Sequence, residues 1–405
     1  MLVRLSRVAL PPLIVIVGLG IYRFSLGSAE PNRLVAERKE PWTIAPRYDD
    51  PRLVSDAELG AVLERMIPLA GAANTNRLVH ALRLWGPHAR FDDPDTLSGT
   101  QMRDYFLSDD EFRRHAGESS PPLFTITADG VQVRAWDGGQ EHRSTASHHE
   151  DDLLATLAEI DTPLDTPLVT RQGTTTVAAL LRGAMRRTHL SRHEYEWSAI
   201  SYARYLFPLK TWRNRYGQRI DIDDLVAELI DHPLHHGPCN GTHRLEAMVV
   251  LNRADEQVGA ISAFTRRRML THMCRVGHLL AQAQHSEGYW TRRWPQGAAA
   301  ASDDAAPLSD RILVTGHHLE WLALAPPEVQ PPREHIARAA RWLVDAMLEV
   351  DQQTLESHYG PFSHAARALC LWRSQDPYDA WRKHAGAAGQ NGPLDDGRDL
   401  SPDEP

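Results

Sequence analysis

The stretch TGHHLEWLAL, residues 315–324, places two histidines, a glutamate and a tryptophan directly before an apolar run. We predict a helix over residues 316–325. Residues three apart lie on one face of a helix, so the side chains of His317 and Glu320 are expected to point the same way. That shared face either looks into a polar cavity or only caps and decorates the helix.

The same spacing of histidine and glutamate recurs at two other predicted helix starts. RHEYEWSAI places His193 and Glu196 before a tryptophan. THRLEAMVVL places His243 and Glu246 before an apolar run. A fourth start, SHAARALCLW, keeps His364 but has an arginine at the acid position.

The stretch VHALRLW around His80 matches this pattern more weakly. Successive helices of one kind, each with a histidine near its start, predict a closed ring of helical hairpins. In such a ring the inner helices begin at one rim, so their first-turn side chains converge on the mouth of a central cavity. The alternative is structural, because a first-turn glutamate interacts favourably with the helix dipole and often does no more than cap.

The rest of the chain is predicted to be mainly helical, beginning with a capping box formed by Ser55 and Glu58. Alternating residues around Asp129–Gly130 predict a β-hairpin over 123–136, and a shorter hairpin is expected at 168–175. Further helices are predicted at 75–85, 175–187, 193–206, 222–231, 241–252, 256–284, 333–350 and 361–374. The fold class is therefore all-α, an α/α toroid of stacked helical hairpins with a small β-hairpin insertion.

Composition divides the chain into four segments. Residues 1–29 contain a short positive segment and the uncharged run Val8–Tyr22, which predicts a signal-anchor or a cleaved signal peptide. Proline-rich residues 30–52 predict an extended linker. Residues 53–375 are expected to form the toroid domain, and residues 376–405 a disordered acidic tail.

Charge indicates where the protein lies and what it binds. Arg4 and Arg7 precede the apolar run, so the body is expected on the extracytoplasmic face, anchored in the membrane by the N-terminal helix. The net charge of −9 and the lack of a basic block argue against a nucleic-acid partner. Of three cysteines, Cys239 is expected in a loop, within the histidine-rich stretch DHPLHHGPC.

One motif resembles the α/α toroids of terpenoid cyclases and protein prenyltransferases. QHSEGYW carries Gln284, Gly288 and Trp290 at the positions of their QxxxGxW repeat. In that family the glutamine and tryptophan stiffen the joints between hairpins. DIDD, residues 221–224, also spells the acid motif of class II cyclases, but Asp221 is equally an ordinary N-cap residue. A cyclase-like enzyme is one alternative.

GHHLEW and THRLEA resemble helix starts of the N-acylglucosamine 2-epimerase and sugar-isomerase family, which is built on an (α/α)6 barrel. The resemblance implies histidines that act as acid and base at a sugar carbonyl, and histidine has the pKa that such proton transfer needs. A small carbohydrate-like ligand is therefore expected. The candidate catalytic residues are His243, His317, Glu320 and His364. The candidate binding residues are His193, Glu196, Glu246 and Trp321.

The sequence predicts no cofactor and no metal. No GxSxG, Walker or GxGxxG context supports a nucleotide or a serine nucleophile. Histidine and glutamate are also metal ligands, which leaves a metal site at His243 and His317 as an alternative. The leading hypothesis is a membrane-anchored isomerase or epimerase, and its rival is a non-catalytic toroid that binds a ligand or partner.

Overall fold

The computed structural model describes residues 38–71, 74–136, 138, 143–192 and 194–390. Across these residues the chain is mainly α-helical, with short antiparallel strand pairs, which confirms the predicted helical class. The predicted N-terminal anchor, residues 1–29, lies outside the described residues. Among the residues that are described, no helix is long and apolar enough to cross a membrane.

The helices follow one another with short connections. In chain order they are α1 Asp56–Arg65, α2 Thr75–Trp85, α3 Gly99–Tyr105, α4 Asp109–Ala116, α5 Asp152–Glu159, α6 Val177–Arg187, α7 Glu196–Tyr205, α8 Ile222–Asp231, α9 Thr242–Val258, α10 Ala263–Ala283, α11 Leu308–Leu324, α12 Arg333–Glu349, α13 Gln352–Ser357, α14 Tyr359–Trp372 and α15 Pro377–Gln390. Short 3-10 turns lie at Arg143–Thr145, Pro238–Gly241, Trp294–Ala300 and Pro327–Val329.

Local sequence explains several of these boundaries. Ser55 and Glu58 form the predicted capping box at the start of α1, each bonding the other's backbone N–H. The helix predicted over 256–284 is present but begins later, at Ala263, because Gly259 ends α9 in the left-handed conformation (φ 65°) and Ser262 caps a new helix.

Three strand pairs lie between the helices. They are β1 Phe124–Thr127 with β2 Gly130–Val133, β3 Pro167–Thr170 with β4 Gly173–Thr176, and β5 Thr211–Arg213 with β6 Arg219–Asp221. The first two pairs were predicted. Gly130 is required in its turn, since its φ is 133° and a Cβ there would lie 2.5 Å from the carbonyl oxygen of Ala179.

Six helices contact one another in a closed cycle. In order of contact they are α2, α5, α7, α9, α11 and α14, and α14 contacts α2 again. Most residues of the cycle helices are buried, and two of these helices are buried on all sides over much of their length: α7 from Glu196 to Tyr205 and α11 from Ile312 to Leu324. By contrast, α10 buries a single stripe, Met269, Met273, Val276 and Leu280. This difference places the cycle helices in the interior and α10 at the periphery.

The QxxxGxW stretch joins α10 to α12. Gln284 donates to the carbonyl oxygens of Gly288 and His335, both at 2.7 Å, and Trp290 Nε1 donates to the Leu280 carbonyl at 2.9 Å. Gly288 has a φ of 114°, and a Cβ there would lie 2.6 Å from the Arg338 carbonyl oxygen. The motif is thus a structural joint in which the glutamine and tryptophan side chains are hydrogen-bonded.

The predicted domain boundaries are wrong at both ends. Residues 38–52 were expected to be part of a linker, but Trp42 Nε1 donates to the Phe207 carbonyl at 3.0 Å and Tyr48 stacks on Trp372 at 4.9 Å. Residues 377–390 were expected in a disordered tail but form α15, whose Trp381 is buried. Buried or stacked aromatic side chains therefore hold residues 38–52 and residues 377–390 against the helical body.

The acid motif DIDD, residues 221–224, only starts a helix. Asp221 caps α8 by accepting from the Asp223 N–H at 3.0 Å, and Asp223 accepts from the Ser262 N–H at 3.0 Å. Both carboxylates thus bond backbone groups at helix starts, the structural alternative that the sequence left open.

Candidate functional site

The predicted catalytic histidines lie on three helices of the cycle. His243 is the second residue of α9, as predicted. His317, however, does not begin a helix, because α11 begins at Leu308, directly after Pro307 at the N-cap position. His364 lies within α14. The histidines therefore meet in the interior of the helix cycle instead of at a rim of helix starts.

The three rings converge. The ring centroids of His243 and His317 are 4.5 Å apart, those of His317 and His364 are 3.9 Å apart, and those of His243 and His364 are 5.7 Å apart. All three side chains are buried. His193, the fourth histidine of the sequence pattern, lies outside the described residues.

A glutamate lies three residues after both His243 and His317. His317 Nδ1 lies 3.2 Å from Glu320 Oε2, so the two do share a helix face. The same oxygen lies 2.9 Å from His364 Nδ1. His243 Nδ1 lies 3.5 Å from Glu246 Oε2 and has no hydrogen-bond partner among the described residues. Glu320 therefore fixes the orientation of two imidazoles, whereas Glu246 acts on His243 through its charge.

Two buried arginines neutralise these carboxylates. Arg83 on α2 bonds Glu159 and lies 2.5 Å from Glu246. Arg367 on α14 bonds Glu320 and lies 3.4 Å from both Glu159 and Glu246. The prediction that Glu246 and Glu320 face a wet pocket is thus wrong: they lie in a buried ion network.

This network explains why two helices carry arginine where the HxxE pattern has glutamate. These HxxR pairs are His80 with Arg83 and His364 with Arg367. Their arginines supply the positive charge that the glutamates of the HxxE pairs need in a dry interior. Burial raises the pKa of Glu246, but the Arg83 guanidinium outweighs burial and lowers that pKa to about 2.

A cavity of ≈ 160 Å³ opens in front of the cluster. Its walls include His80, His149, His243 and His364, together with Cys239. His317 and Glu320 lie behind this wall. The cavity is therefore bordered by imidazoles and one thiol.

Cys239 is a functional candidate that the sequence analysis left as a loop residue. It lies in the Pro238–Gly241 turn before α9, and it and Asn240 both have left-handed backbone angles, with φ of 49° and 55°. Burial raises the pKa of the thiol, but the imidazoles of His243 and His317 outweigh burial and hold that pKa well below its usual value. The available signal was a cysteine four residues before a histidine.

The pKa values of the two neighbouring imidazoles are shifted in the opposite direction, upward. Burial disfavours the charged form of His317, but the Cys239 thiol and the Glu320 carboxylate outweigh burial and raise its pKa to about 9. The Cys239 thiol likewise outweighs burial at His243 and raises the pKa of that imidazole. The thiol and the two imidazoles thus interact directly.

His149 is a second residue that sequence reasoning missed. It precedes α5 and lines the cavity, and its Nδ1 lies 3.0 Å from Glu194 Oε2. Burial disfavours its charged form, but the hydrogen bond to Glu194 and the charge of Asp152 outweigh burial and raise its pKa to about 9. No HxxE spacing marks it, because its carboxylate partner is 45 residues away.

Two predicted binding residues lie away from the cavity. Glu196 is buried, accepts a hydrogen bond from the Tyr195 N–H at 3.0 Å and lies 3.6 Å from Arg244. The Arg244 guanidinium in turn donates to the backbone carbonyl groups of His232, Pro233 and His236. Trp321 is buried and donates to His318 Nδ1 at 3.1 Å.

The tryptophan that lines the cavity is Trp197. Its ring centroid lies 4.5 Å from that of His243. The Arg83 guanidinium lies over the same ring at 4.8 Å. Trp197 therefore joins the cavity wall to the buried ion network.

No protein-family model, curated protein or solved structure matches this chain.

Proposed function

We propose that the closed cycle of six helices is the inner ring of an α/α toroid. Burial of α7 and α11 on all sides, against the single buried stripe of α10, supports an inner and an outer layer. The joint at Gln284, Gly288 and Trp290 supports the same architecture, because it ties successive hairpins together.

We propose that the protein is an enzyme that acts on a small polar molecule in the histidine cavity. The observation that carries this proposal is the convergence of His80, His149, His243, His364 and Cys239 on one cavity. Behind the wall lies a buried ion network, a kind of arrangement that commonly lowers stability relative to an apolar core. Groups held at such expense are typical of active sites.

Proton transfer beside a carbonyl is the reaction class that suits this wall best. Imidazoles are the side chains whose pKa lies closest to neutrality, and each of His149, His317 and His364 is oriented by a carboxylate. Trp197 adds an aromatic wall suited to a sugar ring. The proposed substrate class is therefore a small carbohydrate or related hydroxy-carbonyl compound, and the proposed reaction is isomerisation or epimerisation.

Solvent-deuterium incorporation into a panel of aldoses and N-acyl hexosamines tests this proposal. Wild-type protein should exchange a proton of at least one sugar, and His149→Gln should lose that exchange. His278→Gln, which alters an exposed imidazole on α10, is the matched control and should retain it. If no sugar exchanges label, or if His149→Gln is as active as the control, the isomerase proposal fails and a ligand-binding toroid replaces it.

We also propose that the N-terminal apolar run, Val8–Tyr22, holds the body on the extracytoplasmic face of a membrane. The flanking arginines support this orientation. A reporter fused after Pro405 should be active only outside the cytoplasm, and the protein should sediment with membranes. A full-length product found free in the cytoplasm would overturn this proposal.

A further inference from the structure

We propose that Cys239, His243 and His317 form a binding site for one divalent transition-metal ion, zinc by ligand type. One ligand atom from each of the three residues lies within 4.8 Å of the others. Thiolate and imidazole are the ligands that zinc prefers, and three protein ligands with one open position are typical of catalytic zinc. The open position would face the cavity, which Cys239 and His243 both line.

The carboxylates behind the histidines support this site. Glu320 approaches Nδ1 of His317, and Glu246 approaches Nδ1 of His243. A carboxylate at Nδ1 fixes the tautomer of an imidazole and leaves Nε2 for a metal. Glu320 holds His317 in this way, and Glu246 lies 3.5 Å from Nδ1 of His243. Two histidines on different helices, each near a carboxylate and both next to one thiol, are more than a single acid–base pair needs.

An unsatisfied nitrogen points to a ligand. Nε2 of His317 is buried and has no hydrogen-bond partner among the described residues. Leaving such a group unpaired is unfavourable in a dry interior. A bound cation would satisfy this nitrogen and would do so without a further donor or acceptor from the protein.

The loop that carries the thiol is strained in the way functional loops often are. Cys239 and Asn240 are successive non-glycine residues in the left-handed region, a conformation that is unfavourable for side chains other than glycine. Gly241 follows with a φ of 79°, and a Cβ there would lie 1.9 Å from the Leu234 carbonyl oxygen. This turn places the Cys239 sulfur next to His243 and His317 of the helix cycle.

Charge balance gives the ion a chemical role. Three arginines of the network, Arg83, Arg204 and Arg367, face three glutamates, Glu159, Glu246 and Glu320, so the network itself is neutral. A divalent cation held by one thiolate and two neutral imidazoles would then carry one net positive charge. That charge would stabilise an oxyanion or a hydroxide at the open position.

A second trio, His317, Glu320 and His364, also lies within reach of a common ion. Both oxygens of Glu320 are already engaged, one by His317 and His364 and the other by Arg367. Glu320 therefore serves the site by orienting His317, and the thiol-containing trio is the one that remains open.

Metal binding by the purified full chain tests this inference, which rests on the proposed function only for what the ion does. Chelator-treated protein is titrated with Zn²⁺ against a chromophoric chelator and, separately, with Co²⁺. We expect one ion per chain and a thiolate-to-cobalt charge-transfer band. Cys239→Ser should lose that band, and Glu320→Gln should bind Zn²⁺ about 10–100-fold more weakly.

Cys274→Ser is the matched control, since Cys274 is on the peripheral helix α10 and bonds only the Glu328 carbonyl. It should bind Co²⁺ as the wild type does. The inference is overturned if the full chain binds neither ion, or if Cys239→Ser, shown by circular dichroism to be folded, keeps the cobalt band. Metal binding without sugar exchange would sink the isomerase proposal alone, and sugar exchange without metal binding would sink the metal site alone.

Discussion

The joint around Trp290 and the cluster around His317 are both buried in the same helical body, but they are built on opposite principles. At the joint, the side chains of Gln284 and Trp290 donate to backbone carbonyl groups, and the charged Arg338 that bonds Gln284 is exposed. At the cluster, ionised side chains are buried, Nδ1 of His243 and Nε2 of His317 have no hydrogen-bond partner among the described residues, and the turn at Cys239 is strained. The contrast teaches that hydrogen bonds satisfy the joint, whereas the cluster keeps unpaired polar groups in the interior, the property on which the proposed function depends.

The largest effect on stability is expected from breaking the ion network. Arg83→Leu removes the nearest cation from both Glu159 and Glu246, which are buried and keep only longer contacts to other arginines. Removing one partner of a buried ion pair costs about 3–5 kcal/mol, and we expect this variant to lie in that range. Denaturant unfolding measures the loss.

Arg341→Leu is the matched control for that variant. Arg341 pairs with Glu58 at 2.6 Å and with Asp345 at 2.9 Å, but its side chain is about half exposed. Loss of such surface pairs should cost less than about 1 kcal/mol. Equal losses in the two arginine variants would contradict the assignment of a dry, tightly coupled network.

Trp290→Ala should come next. The fully buried indole fills the joint, and truncating a buried tryptophan costs roughly 3–5 kcal/mol. Because the joint has no part in the chemistry, the folded fraction should keep the proposed metal affinity. Unfolding curves measure the loss of stability, and zinc titration of the same sample measures the metal affinity. A fully folded Trp290→Ala variant with weaker zinc binding would contradict the separation of joint and cluster.

His317→Ala should be less harmful to the metal-free protein. On the sequence alone, His317 was expected either to face a polar cavity or to cap and decorate its helix. The structure instead buries it with Glu320, which keeps His364 and Arg367 as partners after the change. We expect a loss of about 1–2 kcal/mol in the presence of chelator. A loss as large as that of Trp290→Ala would mark His317 as structural.

The smallest effect is expected at the strained turn, and it has the opposite sign. Asn240 has a φ of 55°, and its buried Nδ2 has no partner among the described residues. Asn240→Gly removes both the backbone strain and the unpartnered amide, so we expect a gain of up to about 1 kcal/mol in unfolding free energy. Asn76→Gly, in the first turn of α2, is the control and should lose about 0.3 kcal/mol, the difference in helix propensity between asparagine and glycine. A loss at Asn240 as large as at Asn76 would show that the turn is not strained.

Much of the local structure could be predicted because its causes are local. The capping box of Ser55 and Glu58, the hairpin at Asp129–Gly130 and the common face of His317 and Glu320 each depend on residues a few positions apart. The failures are also instructive. The helix at residues 377–390 depends on tertiary contacts such as the burial of Trp381, which outweigh the local loop-like composition.

The site divides along the same line. The sequence by itself determined that histidines and carboxylates recur in HxxE pairs on helices, since a three-residue spacing fixes a shared face wherever the helix lies. It did not mark Arg83, Glu159, Cys239 or His149, whose partners are distant in sequence. Only the closure of the helix cycle brought the Cys239 turn against α9 and α11 and set the arginines of α2 and α14 against the glutamates. The physical reason is that charge pairing and ligand geometry act through space over a few ångströms, whereas sequence periodicity reports only the direction in which a side chain points.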